Sequence, residues 1–186
     1  MNMNILTLNK PNIKDFAKER NNLLAKSKSE WNLFLDSDER LVKPINDISN
    51  KNDCYYLYRK NYFLGRYVGT DKLIRLVKKG GGKWQRSVHE TWKPNKSHSR
   101  GVLLDPVIIH NTTDNLKDYI NKINNYSTLH ARENFKENKK VNLLIIIFFP
   151  IAKFIITYVK SKNVVFSIMQ SLHSYLSWTK LYLQQF

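Results

Sequence analysis

The sequence predicts an α/β fold, with a mixed sheet and helices over roughly the first 110 residues and helices alone after that. Short runs rich in β-branched and aromatic residues recur up to residue 110, separated by polar and glycine-containing stretches. Apolar residues take helical spacing between residues 13 and 28 and again after Asp114. A run from Leu143 to Val159 carries Lys153 as its only charge.

Residues 13–28 read as a helix, with Ile13, Phe16, Ala17, Leu23 and Leu24 near one face and neither Gly nor Pro inside. Trp31 to Leu35 reads as a short strand bounded by polar residues. Further strands are expected over 54–60, rich in tyrosine, and over 72–77, stopped by the KKGGG turn at 78–82. Residues 84–90 and 102–110 also read as strands, and Pro106 in the second marks an edge or a bend. A polar loop, WKPNKSHSRG, separates them. From Asp114 a Thr or Asp cap opens a helix that aligns Leu116, Tyr119, Ile120, Ile123 and Tyr126. The apolar run at 143–159 and an amphipathic stretch at 164–185 complete the chain. No internal repeat is visible.

At 186 residues the chain is long enough for one ordinary domain with an appendage. Its four Trp, ten Tyr and nine Phe favour a packed core over disorder. The single cysteine, Cys54, excludes an internal disulfide and any cysteine-based zinc site, in keeping with a reducing compartment. The opening MNMNILTLNKPNIKD lacks a basic start followed by a long apolar stretch, so no cleaved signal peptide is expected. The excess of 31 Lys and Arg over 15 Asp and Glu gives a net charge of +16. That balance draws polyanions, whether nucleic acid, anionic lipid or phosphate-bearing substrates.

Against this charge, EWNLFLDSDERL stands out, because Asp36, Asp38 and Glu39 follow directly on an apolar strand. Ligands of open α/β sheets gather outside the carboxyl ends of strands. Two acids two residues apart suit a hard divalent cation, Mg²⁺ or Mn²⁺, that bridges carboxylates to a substrate's phosphates. The same residue types also suit a surface turn or a helix cap.

The stretch KERNNLLAKSKSEWNLFLDSDERL (18–41) resembles the family 2 glycosyltransferases, in which an Arg-Asn-x-(Ala/Gly)-Leu type helix precedes a strand ending in Asp-x-Asp-Glu. Arg20, Asn21, Leu24, Ala25, Phe34, Leu35, Asp36, Asp38 and Glu39 fit that pattern. The resemblance continues through RKNYFLGRYV (59–68), LIRLVKKGGGKW (73–84), SVHE (87–90) and DYINKINNYST (118–128). Together these are similar to the branch containing the lipopolysaccharide-core glucosyltransferases. The resemblance implies a GT-A-like fold, truncated at its N-terminus, and inverting, metal-dependent hexosyl transfer from a nucleotide-sugar donor to a saccharide or lipid-linked saccharide in cell-envelope assembly. It implies that Asp36, with Arg20, Asn21 and Arg75, contacts the donor. It places Asp38, with Asp36 and Glu39, on Mg²⁺ or Mn²⁺, and Glu90 or His89 as the base for the acceptor hydroxyl. Arg59, Lys60, Arg66 and Arg75 are further groups suited to phosphate.

Family members normally begin with an additional strand–helix–strand unit that builds most of the nucleotide pocket. Only about 13 residues precede the first matching helix, against about 30 or more for such a unit. The expectation is therefore a partial GT-A domain over 1–137, either an inactive fragment or half of a split enzyme whose other half is a separate chain. The alternative is a non-enzymatic basic module that binds membrane or nucleic acid, and the acidic trio argues against nucleic acid.

Residues 138–186 form the expected C-terminal part. The 143–159 run is short for a bilayer span of about 20 residues, and basic residues flank it: Lys136, Lys139 and Lys140 before, Lys160 and Lys162 after. This pattern suits helices lying on the inner face of the cytoplasmic membrane, and equally a helix packed on the preceding domain.

Overall fold

The structure is a computed structural model that describes residues 3–9, 13–45, 48–95 and 100–186, with the Pro106 side chain left out. The chain divides into two compact units. The first comprises Met1–Asn61 and Thr70–Asn111, and the second Tyr62–Gly69 and Thr112–Phe186. The division at 111/112 differs from the 137/138 boundary read from sequence, because the helix at 116–136 clusters with the helices that follow it.

The first unit opens with a strand the sequence reading missed, β1 (Met3–Leu8), followed by helix α1 (Phe16–Lys26) and β2 (Trp31–Asp36). The two strands are parallel and in register from Met3↔Trp31 to Leu8↔Asp36, so the crossover through α1 makes a βαβ unit. The helix starts at Phe16 because Asp15 caps it, its carboxylate accepting from the Lys18 N–H at 2.9 Å. β2 is buried along Trp31–Leu35, and its residues alternate between two cores. Phe34 packs with Leu6, Ala17, Leu24 and Trp84, whereas Trp31, Leu33 and Leu35 pack with Tyr55, Leu57, Leu76 and Ile108. Burial on both faces is the physical reason that WNLFL reads as a continuous apolar run.

The remaining strands are β3 (Glu39–Leu41), β4 (Cys54–Phe63), β5 (Arg66–Lys78), β6 (Gly82–Gln85), β7 (Thr91–Pro94) and β8 (Arg100–Asn111). The main sheet runs β1-β2-β5-β4-β8-β3, and β6 and β7 form a separate antiparallel pair. β2 and β3 lie four places apart in this order, about 19 Å in a flat sheet. Yet the two-residue link Ser37–Asp38 spans at most about 11 Å, so the sheet curls until the end of β2 meets β3. This is a mixed α/β architecture.

Three expectations change. The 84–90 strand stops at Gln85, and Arg86 and His89 take left-handed backbone at φ 71° and 51°. Residues 91–94, read as loop, are strand β7, while 96–99 of that loop lie outside the described residues. β8 is flanked on both sides, by β4 and β3, so Pro106 does not lie on an edge strand.

In the second unit, Leu64 and Gly65 turn the β4–β5 hairpin with positive φ, 48° and 74°. A two-residue turn of this kind matches strand twist but strains any residue with a Cβ, so Gly suits one of its positions. Three helices follow: α2 (Leu116–Lys136), α3 (Leu143–Ser161) and α4 (Val164–Leu183), each with an Asn at its N-cap. α3 runs unbroken through Pro150. α4 packs extensively against both α2 and α3.

Candidate functional site

The site grows from the end of β2. Asp36 ends the buried strand beside Leu8, the last residue of β1, and α1 lays Arg20 against it. Arg20 is 1% exposed, with its guanidinium 5.4 Å from the Phe34 ring centroid and 5.2 Å from that of Trp84. Such a charge is stable only when paired. Its Nη2 donates to Asp36 Oδ1 at 2.8 Å and its Nε to Glu90 Oε1 at 2.7 Å. Residues 16 and 70 positions from Arg20 in the chain thus share one guanidinium.

The ion pairing continues. Arg75, on β5, donates to Asp36 Oδ2 at 2.7 Å and to Glu39 Oε1 at 2.6 Å. Arg59, on β4, donates to the same Glu39 oxygen at 2.6 Å and to Asp71 at 2.9 Å. Glu39 Oε2 accepts from the Asp36 backbone N–H at 3.1 Å. The result is a continuous chain, Glu90–Arg20–Asp36–Arg75–Glu39–Arg59–Asp71. Burial alone would push the Asp36 carboxyl up, but the Arg75 and Arg20 guanidinium groups outweigh it and hold the group below its ordinary value. For Arg75, burial works against the charge, and Asp36 and Glu39 overcome it to raise the pKa.

Asp38 faces differently. Its carboxylate lies 3.3 Å from His110 Nε2 and is 31% exposed. His110 Nδ1 is 2.8 Å from Asn61 Oδ1, and Asn61 Nδ2 donates to Asp71 at 2.9 Å. A carboxylate only accepts, so Asp71 fixes the Asn61 amide and leaves its oxygen toward His110, whose Nδ1 therefore carries a hydrogen.

The site residues read from sequence take unequal places. Arg20, Asp36, Glu39, Arg75 and Glu90 converge in the chain of ion pairs, and Asp38 sits at its margin. Asn21 is engaged with backbone rather than with the ion pairs. Its amide pairs with the backbone of Trp84, donating to the carbonyl and accepting from the N–H at 3.0 Å each, which fastens β6 to α1. His89 is exposed on strained backbone, and Glu90 next to it is half-buried. Of the phosphate candidates, Lys60 and Arg66 are exposed, whereas Arg59 and Arg75 are engaged as above. Asp71, Asn61 and His110 were missed, since each lies in a strand whose partners are fixed by pairing rather than by sequence distance.

Among the described residues, no cluster of three or more His, Cys, Asp or Glu side chains forms a metal cage. Asp36 and Glu39 have both carboxylate oxygens engaged, so neither fits the metal-ligand role drawn from sequence without losing a guanidinium or backbone donor. Asp38 fits a site in which one carboxylate and the substrate's own phosphates hold Mg²⁺ or Mn²⁺. No family model matches the chain, and no curated protein matches it.

Proposed function

We propose that the β-rich unit binds the diphosphate of a nucleotide sugar and belongs to glycosyl transfer in cell-envelope assembly. The observation that carries this reading is the meeting of Asp36 and Glu90, drawn from two separate motifs, on the one guanidinium of Arg20, at 2.8 and 2.7 Å. Supporting it, Arg20 Nη1, Arg75 Nε and Arg59 Nε are buried without a hydrogen-bond partner among the described residues, and a phosphate oxygen satisfies donors of this kind. Asp38 would hold Mg²⁺ or Mn²⁺, which neutralises charge on a departing nucleoside diphosphate. Asp36, Arg20 and Arg75 orient the donor. Glu90 or His89 takes the proton of the acceptor hydroxyl as that oxygen attacks the anomeric carbon and the diphosphate leaves with its electron pair. The acceptor is a saccharide or a lipid-linked saccharide.

Calorimetry with UDP- and GDP-sugars, with and without Mn²⁺, tests this proposal. The expected result is Mn²⁺-dependent donor binding that Asp38→Asn removes while the fold is kept, since Asp38 is only partly buried. A folded wild-type chain that takes up no donor in Mn²⁺, or an unchanged Asp38→Asn variant, overturns it.

A second reading has its own support. Asp36 and Glu39 are fully engaged by arginines and backbone, an arrangement that serves a structural lattice in a non-enzymatic basic module as well as it serves a donor site. Under that reading Asp38→Asn binds a polyanion such as heparin slightly better and donor binding is absent throughout.

A further inference from the structure

The second unit presents a surface that the reading of the β-rich unit leaves unused. α3 is apolar all round, but only one stripe of it is covered. Ile146, Pro150 and Thr157 are buried, whereas Leu144, Phe148, Ile151, Ile155 and Val159, on the opposite side, are 51–62% exposed. α4 covers that stripe along its length, with Phe149 against Trp178 at 5.3 Å and Ser171 Oγ donating to the Pro150 carbonyl at 2.9 Å. On its other side α4 meets α2. There Gln170 donates to the Tyr119 hydroxyl at 2.8 Å, and Lys180 Nζ donates to the Asn124 carbonyl and to the Ser127 and Thr128 hydroxyls at 2.8 Å each. The helices thus grade from polar α2 through mixed α4 to apolar α3.

Charge says what covers the open face. No Asp or Glu follows Glu137, while Lys139, Lys140, Lys153, Lys160, Lys162 and Lys180 do. Among the described residues, Lys140, Lys153, Lys160 and Lys162 have no ion-pair partner. Lys153 lies two turns on from Ile146, beside the covered stripe and away from the centre of the open face, where anionic headgroups at the margin of that face neutralise it and the other lysines. We propose that α3 lies flat in the headgroup–acyl boundary of an anionic bilayer, its outer face in lipid and its lysines among the headgroups.

Length alone permits a different answer. α3 is the one helix among the described residues long and apolar enough to cross a membrane, about 28 Å at 1.5 Å per residue. Upright insertion, however, puts Lys153 at mid-bilayer and drags in Gln170, His173 and Lys180 of α4, together with the charged α2 bound to it. Lying flat leaves α2 in water and lets Lys153 reach the headgroups.

Flotation of the full chain with phosphatidylglycerol-containing vesicles tests the proposal. Binding is expected there and not to phosphatidylcholine alone. Changing Lys153, Lys160 and Lys162 to Gln weakens it by about fivefold per lysine. Phe148→Asp with Ile155→Asp abolishes it, and if that variant loses its helical circular dichroism the lysine series decides. Fluorophores on Leu144→Cys and Val159→Cys, near opposite ends of one face, report the same shallow depth to lipid-borne quenchers. Failure to float, unequal depths indicating a span, or a soluble dimer that Phe148→Asp dissociates each overturns the proposal.

Discussion

Arg75→Ala is the sharpest probe of the buried ion-pair chain. Arg75 is 5% exposed and bridges Asp36 and Glu39. Removing one member of a buried pair costs about 3–5 kcal/mol, because the partner's charge stays behind in a poor solvent. Here Asp36 keeps Arg20 and Glu39 keeps Arg59, so the lower end applies, about 3 kcal/mol. That is on the order of a hundredfold in the opening equilibrium of the first unit. Cys54 supplies the readout, since it is fully buried in that unit's core and becomes alkylated only on opening. Urea, being uncharged, is the denaturant to use, because guanidinium salt would screen the pairs under test. The expected coupling between Arg75→Ala and Glu39→Gln is about 1.5–3 kcal/mol. The pH dependence has a definite sign. A carboxyl with its folded-state pKa lowered, as Asp36 has, contributes stability above its ordinary value of 3.8, and that contribution fades as pH falls through the folded-state pKa. The gap between wild type and Arg75→Ala therefore narrows below about pH 4. A change in Cys54 labelling of less than about threefold, or purely additive single variants, would refute the claim that burial makes these pairs matter.

Two further outcomes follow from the same unit. Asn21→Ala strands the N–H and the carbonyl of Trp84 that its amide now satisfies, and should destabilise by about 2 kcal/mol in urea melts. Indifference to that change would show that β6 is held by apolar packing alone. Burial pushes the Cys54 thiol up to about 11, with Arg100 opposing and Asp53 adding to the shift. Native protein at pH 8 should therefore resist thiol reagents that label the urea-unfolded chain within their ordinary reaction time, and prompt labelling of the native state would contradict the buried placement.

Much of the local structure was legible because it depends on near neighbours. The periodicity of 13–28, of the stretch opening at Asp114 and of 164–185 depends on contacts one turn apart, so α1, α2 and α4 appear where the spacing of apolar residues puts them. The continuous apolar run of β2 likewise reports burial on both faces. What failed to show was pairing. β1 carries its buried residues, Leu6 and Leu8, in a stretch short enough to read as a tail. β7 passed for loop because Lys93 and Pro94 mask a strand whose Trp92 packs on Trp84.

The sequence by itself set the alphabet of the site: an arginine on a helix, an acidic turn after a buried strand, and a glutamate after a short strand. It also set the cationic, acid-free C-terminal helices. Only the tertiary structure decided which charges meet. The curl of the sheet brings Glu39 back onto Arg59 and Arg75, the βαβ crossover sets Arg20 over Asp36, and the pairing of β3 with β8 gives Asp38 its histidine. Propensity acts over a few residues, whereas a buried charge must find its partner wherever the backbone closes, and no local pattern records that address.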